Sequence, residues 1–163
     1  MFRHYLWATS RLKYILNRPK GCIFCNIVKG DPNTPSRILY KDKEMMVIMN
    51  MYPYNVGHLQ VVPVRHVTQL EELSEIEFQK LWDLVKKSVV LLKKALNPPG
   101  FNIGMNIGGE ISGGSILHLH VQIVPRYKRD AGFMEVTADT KVMPQSIDET
   151  YKILMKHADI LKR

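Results

Sequence analysis

Cysteine is almost missing from this chain. Two occur in 163 residues, and both fall in one stretch, "GCIFCNI", as Cys22 and Cys25. In a reducing compartment so close a pair is either half of a metal site or a redox motif, and by itself it specifies neither. Long hydrophobic runs are lacking too: none approaches the ~20 apolar residues of a bilayer-spanning helix, so no membrane partner is expected. Nor is there the apolar core of a secretory leader, and a cytoplasmic protein is the expectation. Internal repeats and low-complexity tracts are absent. Acidic residues are the scarce charge, 15 against 23 lysines and arginines, which gives a formal net charge of +8. Such a balance favours anionic partners such as nucleic acid, acidic lipid or a polyphosphate, without choosing among them.

What remains, 45% hydrophobic and 23% charged residues, is ordinary for one globular domain spanning 1–163. The first acidic residue is Asp31, so the opening "MFRHYLWATSRLKYILNRPK" is basic throughout. That composition also suits a transit peptide. However, Leu6, Trp7, Leu12, Ile15 and Leu16 fit an amphipathic turn or helix, and residues 1–20 are expected to pack on the domain that way. "GDPNTPS" is turn chemistry, "RILYKD" and "MMVIMN" read as short strands, and "HLQVVPV" as a third. Ser74 and Glu77 form a capping box, after which Phe78, Leu81, Trp82, Val85, Val89, Leu92 and Leu96 recur at helical spacing until "NPPG" stops the helix. "FNIGMNI" (101–107) reads as a strand, "GGEISGGS" (108–115) as a glycine-rich loop and "ILHLHVQIV" (116–124) as the last strand. A second capping box, Ser146 with Glu149, opens a C-terminal helix over 146–163 with Ile147, Tyr151, Leu154, Ala158 and Leu161 on one face. This order predicts an antiparallel α+β domain.

The last strand carries the chemistry. Alternation places His118, His120 and Gln122 on one face and Leu117, Leu119, Val121 and Ile123 on the other. Burial explains the aliphatic face. Two histidines at i and i+2 either stand exposed on a solvated face or present two imidazoles to a metal ion, a phosphoryl group, or one of each. The preceding loop favours phosphate, because glycines let backbone amides approach an anion and Ser112 and Ser115 add hydroxyl donors. A neutral imidazole is a competent nucleophile towards phosphorus, and it divides one hard displacement into two easier ones.

"HLHVQIVPR" resembles the signature of the histidine triad superfamily, with Gln122 in place of the third histidine. The similarity extends through "GCIFCNIVKGD", "MMVIMN", "GHLQVVPVRHV" and "FNIGMNIGG" to "DAGFMEVTADTKVMPQSIDETY", nearly the whole chain, and looks most like the diadenosine tetraphosphate phosphorylase and hydrolase branch. The resemblance implies a five-stranded antiparallel sheet with a long central helix and a C-terminal helix, paired into a homodimer. It implies a nucleoside polyphosphate substrate, with His120 as the nucleophile that takes the nucleotidyl group and Gln122 bonding the phosphoryl oxygens or the leaving group. Ser115 and the backbone around Gly114 would hold phosphate, Asn106 would contact the phosphate chain, and Asn50 would meet the ribose. His58 falls in the "GH" that follows the loop, and Tyr127 stands where this branch often has tryptophan. Met46, Ile48, Met51 and Tyr52 suggest an apolar slot for a purine.

An amide can donate and accept hydrogen bonds but cannot relay a proton, so inorganic phosphate is favoured over water as acceptor. Hydrolysis, or adenine-nucleotide binding without catalysis, are the alternatives. The resemblance also implies a structural zinc held by Cys22, Cys25, His66 and His118. A nucleic-acid partner is disfavoured, because Trp82 is assigned to the helix core and Trp7 to the amphipathic opening, which leaves neither free for stacking. The positive charge then serves to steer a polyphosphate.

Overall fold

The computed structural model describes residues 21–128, 130, 133–138, 140 and 142–162. The expected amphipathic opening, 1–20, lies outside the described residues. Among the described residues the first element is a helix the sequence reading did not foresee, α1 (Ile23–Lys29). Cys22 is its N-cap, and Gly30, left-handed at φ 73°, ends it. Strands β1 (Ile38–Lys41), β2 (Met45–Met49) and β3 (Leu59–Pro63) follow. The long helix α2 (Glu75–Leu96) then leads to β4 (Gly100–Gly104), a 3-10 turn at Gly109–Ser112, β5 (Val121–Arg126), the short α3 (Phe133–Ala138) and α4 (Ile147–Met155). The five strands form one antiparallel sheet in the order β1-β2-β3-β5-β4.

All five residues of β2 and all five of β3 are buried, which requires cover on both faces of the sheet. One face packs Met45, Val47, Met49, Leu59, Val61, Val121 and Ile123 against Leu81, Leu84, Val85, Leu91 and Leu92 of α2 and Leu154 of α4. The other packs Met46, Ile48 and Val62 against Phe24 and Ile27 of α1. Each of those two α1 side chains stabilises the contact by roughly 1.5–3 kcal/mol. A cross-strand row on this second face runs Ile48, Gln60, Gln122 and Gly104 in register. It is apolar at one end and amide in the middle, and it becomes the floor of the site.

Several expectations are corrected. The last strand begins at Val121, not Ile116: β3 pairs only with Val121–Ile123, and β4 only with Gln122–Arg126. His118 and His120 therefore precede the strand, and Leu119 donates its N–H to the Val67 carbonyl at 2.7 Å. Leu117 is not a core residue but 65% exposed, while His118 and His120 are buried rather than solvated. The buried stripe of α2 is centred on Leu81, Leu84, Val85, Ser88, Leu91 and Leu92. Phe78 and Trp82 flank it, edge to face with each other at 6.3 Å and about 40% exposed. The assignment of Trp82 to the core is thus wrong. Both capping boxes form as read. The C-terminal helix, however, ends at Met155 and continues as a 3-10 turn over Ala158–Lys162.

Candidate active site

The chain from Leu117 to Gln122 lies between two clusters of side chains. His118 turns to Cys22, Cys25 and His66, whose candidate ligand atoms all lie within 4.8 Å of one another. Its Nδ1 sits 3.3 Å from Cys22 Sγ and 3.2 Å from His66 Nδ1, and His66 Nδ1 is 3.3 Å from Cys25 Sγ. The Nε2–H of His118 donates to the Pro63 carbonyl at 2.9 Å. A carbonyl only accepts, so Nδ1 carries the lone pair that faces the sulfurs. Two thiols and an outward-pinned imidazole lone pair, converging with a second imidazole, are the donor chemistry of a tetrahedral metal site, and a metal-ligating histidine customarily has such a carbonyl partner. Burial pushes His118 down to about 4, keeping it neutral as a ligand must be. The four residues fit a metal ion. Local folding explains the pair of thiols, since Cys22 caps α1 and Cys25 lies in its first turn.

His120 faces the other way, into a cavity between α1 and the sheet. Its Nδ1–H donates to the His118 carbonyl at 2.9 Å, so the lone pair is on Nε2. It is 6% exposed, and burial lowers its pKa below the usual imidazole value, which leaves the ring neutral near neutral pH. Phe24 of α1 packs edge-on against both rings, 5.5 Å from His118 and 5.1 Å from His120, and so bears on the metal cluster and the cavity at once.

Around His120 the cavity is lined by the apolar or aromatic Phe24, Ile27, Ile48, Met51 and Tyr52 and by the polar or small Asn50, Gln60, Asn106, Gly114, Ser115 and Gln122. No carboxylate, lysine or arginine is among its described lining residues. An anion here would meet neutral donors without a repelling charge. Gln122 donates to Asn106 Oδ1 at 2.6 Å, and Asn106 donates to the Ser112 carbonyl at 2.6 Å, tying the glycine loop to β5. Gly114 must stay small: a Cβ there would stand 3.0 Å from Asn106 Cβ. The Gly113 and Gly114 amides close on the Glu110 and Gly109 carbonyls, so Ser115 is the polar side chain this loop brings to the cavity.

Of the residues named from sequence, Asn50, Asn106, Gly114, Ser115, His120 and Gln122 therefore line one cavity, and Cys22, Cys25, His66 and His118 form one cluster. Ile48, Met51 and Tyr52 line the cavity, whereas Met46 is fully buried beneath α1. His58 is buried behind the cavity, and Tyr127 lies away from its lining, donating its hydroxyl to the Val56 carbonyl. Burial pushes the Tyr127 phenol up to about 12. Sequence reasoning missed Phe24 and Gln60. The alternation of "HLQVV" puts Gln60 on the face of His58 and would have flagged it. Nothing local marks Phe24, because α1 itself was not foreseen.

The HIT domain family matches residues 31–129 of this chain. The chain is 33% identical over 166 residues to a Mycobacterium tuberculosis protein named AP-4-A phosphorylase, covering 91% of this chain and 81% of that one. To a HIT-like protein of Methanocaldococcus jannaschii it is 35% identical over 131 residues, 80% of this chain and 96% of the other. A histidine triad nucleotide-binding protein from Sulfolobus tokodaii superposes with a TM-score of 0.68 at 27% identity, over 86% of this chain and 92% of that one. A Zn-bound histidine triad family protein from Mycobacterium smegmatis shares the fold at a TM-score of 0.70 and 24% identity, over 87% and 96%. With its His-x-His-x-Gln stretch, its sheet and its cavity in this company, the chain belongs to the histidine triad family of nucleotide hydrolases and transferases.

Proposed function

We propose that this protein cleaves dinucleoside polyphosphates, as a diadenosine tetraphosphate phosphorylase would, through a nucleotidyl group held covalently on His120. The observation that carries the reading is the buried, neutral His120 ring, whose Nδ1–H is fixed on the His118 carbonyl and whose Nε2 lone pair is left for phosphorus. Nε2 attacks the phosphorus next to one nucleoside, the N–P bond forms, and the P–O bond to the remaining nucleoside polyphosphate breaks, its electron pair leaving on oxygen. Inorganic phosphate then attacks the same phosphorus, releasing a nucleoside diphosphate and restoring the imidazole. Gln122, Asn106 and Ser115 donate to the oxygens on which charge gathers. The 33% identity to a protein named AP-4-A phosphorylase supports the same reaction class.

Zinc is the metal proposed for Cys22, Cys25, His66 and His118, in a structural role with no open position. When bound it supplies rigidity: it holds the strand entry on which the carbonyl partner of His120 lies. The protein is further proposed to work as a homodimer. Among the described residues the outer edge of β4 has no strand paired to it, and Ile103 on it is 43% exposed. Such an edge is a template for pairing with a second copy, and sedimentation at two concentrations tests it.

The decisive experiment mixes the protein with diadenosine tetraphosphate, with and without inorganic phosphate. ATP plus ADP only when phosphate is present identifies a phosphorylase. AMP plus ATP, or two ADP, without it identifies a hydrolase. Intact-protein mass spectrometry should show one adenylyl group on His120, absent in His120→Ala. Binding of nucleotide with no adduct and no turnover would leave a binding module and remove the catalytic reading.

A further inference from the structure

Phe24, Tyr52 and Tyr54 are the phenyl and phenol rings among the described lining residues of the His120 cavity. Phe24 is buried and engaged by His118 and His120. Tyr52 goes with Ile48 and Met51 in the slot read as a purine site. Tyr54 has neither explanation. It is 62% exposed, so burial contributes little to holding it, and yet it is held. Its ring stacks on His58 with centroids 5.2 Å and planes 23° apart. Its backbone N–H donates to His58 Nδ1 at 3.2 Å, and because that group can only donate, the His58 hydrogen lies on Nε2. His58 is fully buried, and its own backbone is tied on both sides. Its carbonyl accepts the Asn50 N–H at 3.0 Å, and its N–H donates to the Asn55 carbonyl at 3.1 Å. A fixed imidazole thus backs one face of a tyrosine whose exposure belongs to the other face and the edge.

Resting on the dinucleoside polyphosphate reading above, we propose that Tyr54 is the stacking platform for the base of the second nucleoside, the one that departs with the phosphate chain. Phe24, Ile27 and Ile48 are all but inaccessible and form the deep apolar wall, where one base fits. With a phosphorus atom at His120, the linked phosphates carry the other base away from that wall, towards the exposed side of the cavity. An aromatic ring already fixed there meets it with little further loss of side-chain freedom. Stacking uses the π-face that every base has, so this subsite accepts any aromatic base and reads none by hydrogen bonding. Tyr54 therefore separates dinucleotides from mononucleotides, whereas the deep wall chooses the first base.

The test compares two uncleavable, methylene-bridged ligands by titration calorimetry: diadenosine tetraphosphate, and the same molecule with its second adenine removed to leave bare ribose. Their charges are equal, so the difference reports the second base alone. Wild type should bind the two-base ligand about tenfold more tightly. Replacing the second adenine by guanine or cytosine should change that preference by less than its loss. Tyr54→Leu should abolish the preference, and Tyr54→Phe and Tyr54→Trp should keep it. In proton NMR, one adenine of the two-base ligand should shift upfield on binding wild type, through the tyrosine ring current, and not on binding Tyr54→Leu. Equal wild-type affinity for the two ligands overturns the proposal. So does a Tyr54→Leu variant that keeps the preference, or a Tyr54→Phe variant that loses it, which would make the hydroxyl and not the ring the contact. A preference with no adenylyl-His120 formed from cleavable diadenosine tetraphosphate removes the His120 reading and sustains this one, whereas an adduct without the preference removes this one alone.

Discussion

Acid should weaken this protein through His58 in a way that can be isolated. The ring is buried beside His120 and behind Gln122, and burial first, then the neighbouring His120, lowers its pKa from 6.5 to about 4. In the unfolded chain the same imidazole takes a proton as the pH drops below 6.5, whereas in the folded protein it stays neutral until about 4. The unfolded state thus binds more protons throughout that window. Stability from this group is therefore intact above 6.5 and lost as the pH falls towards 4. At roughly 1.4 kcal/mol per pKa unit, the loss comes to about 3 kcal/mol, a large part of an ordinary domain's total. His118 is lowered to a similar value, so the wild-type curve alone mixes the two. The clean quantity is the difference between wild type and His58→Gln, measured by urea unfolding at matched metal content from pH 7 down to 4, with Trp82 fluorescence and circular dichroism as probes. The difference should shift by about 3 kcal/mol in favour of the variant across the window. Parallel curves would mean that the ring is hydrated or already paired, and the neutral, donor-bearing His58 would fall with that result.

Other perturbations separate the parts of the site. Gly57→Ala places a Cβ 2.6 Å from Leu96 Cδ1 at a backbone φ of +81°, so urea unfolding should register a loss of about 1–3 kcal/mol. Gly114→Ala presses on Asn106 and should cut kcat/KM about tenfold, roughly 1.4 kcal/mol, while the melting temperature moves little. Cys25→Ser removes one of the four converging donors; if they hold zinc as proposed, elemental analysis should find one zinc per wild-type chain and less in the variant, which should melt at a lower temperature. If the net charge of +8 steers a polyphosphate to the cavity, raising ionic strength should depress kcat/KM, and indifference to salt would count against steering.

The sequence made legible what depends on local periodicity and on pattern. The capping boxes at Ser74 and Ser146, the strands at Ile38, Met45 and Leu59, and the run of residues around His120 all carry their cause within a few positions. Where it failed, the cause lay elsewhere in the fold. Apolar residues recur on α2 over a wider arc than the sheet covers, so periodicity alone could not say that Leu84 and Leu91 turn inward while Phe78 and Trp82 stay at the margin. Helix α1 is seven residues long, too short for a periodic signal, and its reason to exist is tertiary: it covers Met46, Ile48 and Val62 on the second face of the sheet. Missing α1 meant missing Phe24. Sequence spacing likewise brought Cys22, Cys25, His66 and His118 together only through a resemblance, since 96 positions separate Cys22 from His118.

The most instructive discrepancy is the late start of β5. Had residues 116–120 continued the strand, as their alternation suggests, the backbone carbonyl of His118 would be drawn into the antiparallel ladder and occupied by a neighbouring N–H. It is instead free to accept from His120 Nδ1, and that bond puts the lone pair of His120 on Nε2, towards the cavity. The same departure lets His118 reach back to the Pro63 carbonyl, which turns its own Nδ1 to the two thiols. Both tautomers therefore follow from one short stretch of backbone leaving the ladder, and opposite tautomers are what the proposed nucleophile and the proposed metal ligand, two residues apart, require. Alternation supplied the residues on one side of the chain; the irregular entry supplies their protonation. A chain with the same His-x-His-x-Gln order in an unbroken strand would hold two imidazoles in line without deciding which nitrogen of either was free to act.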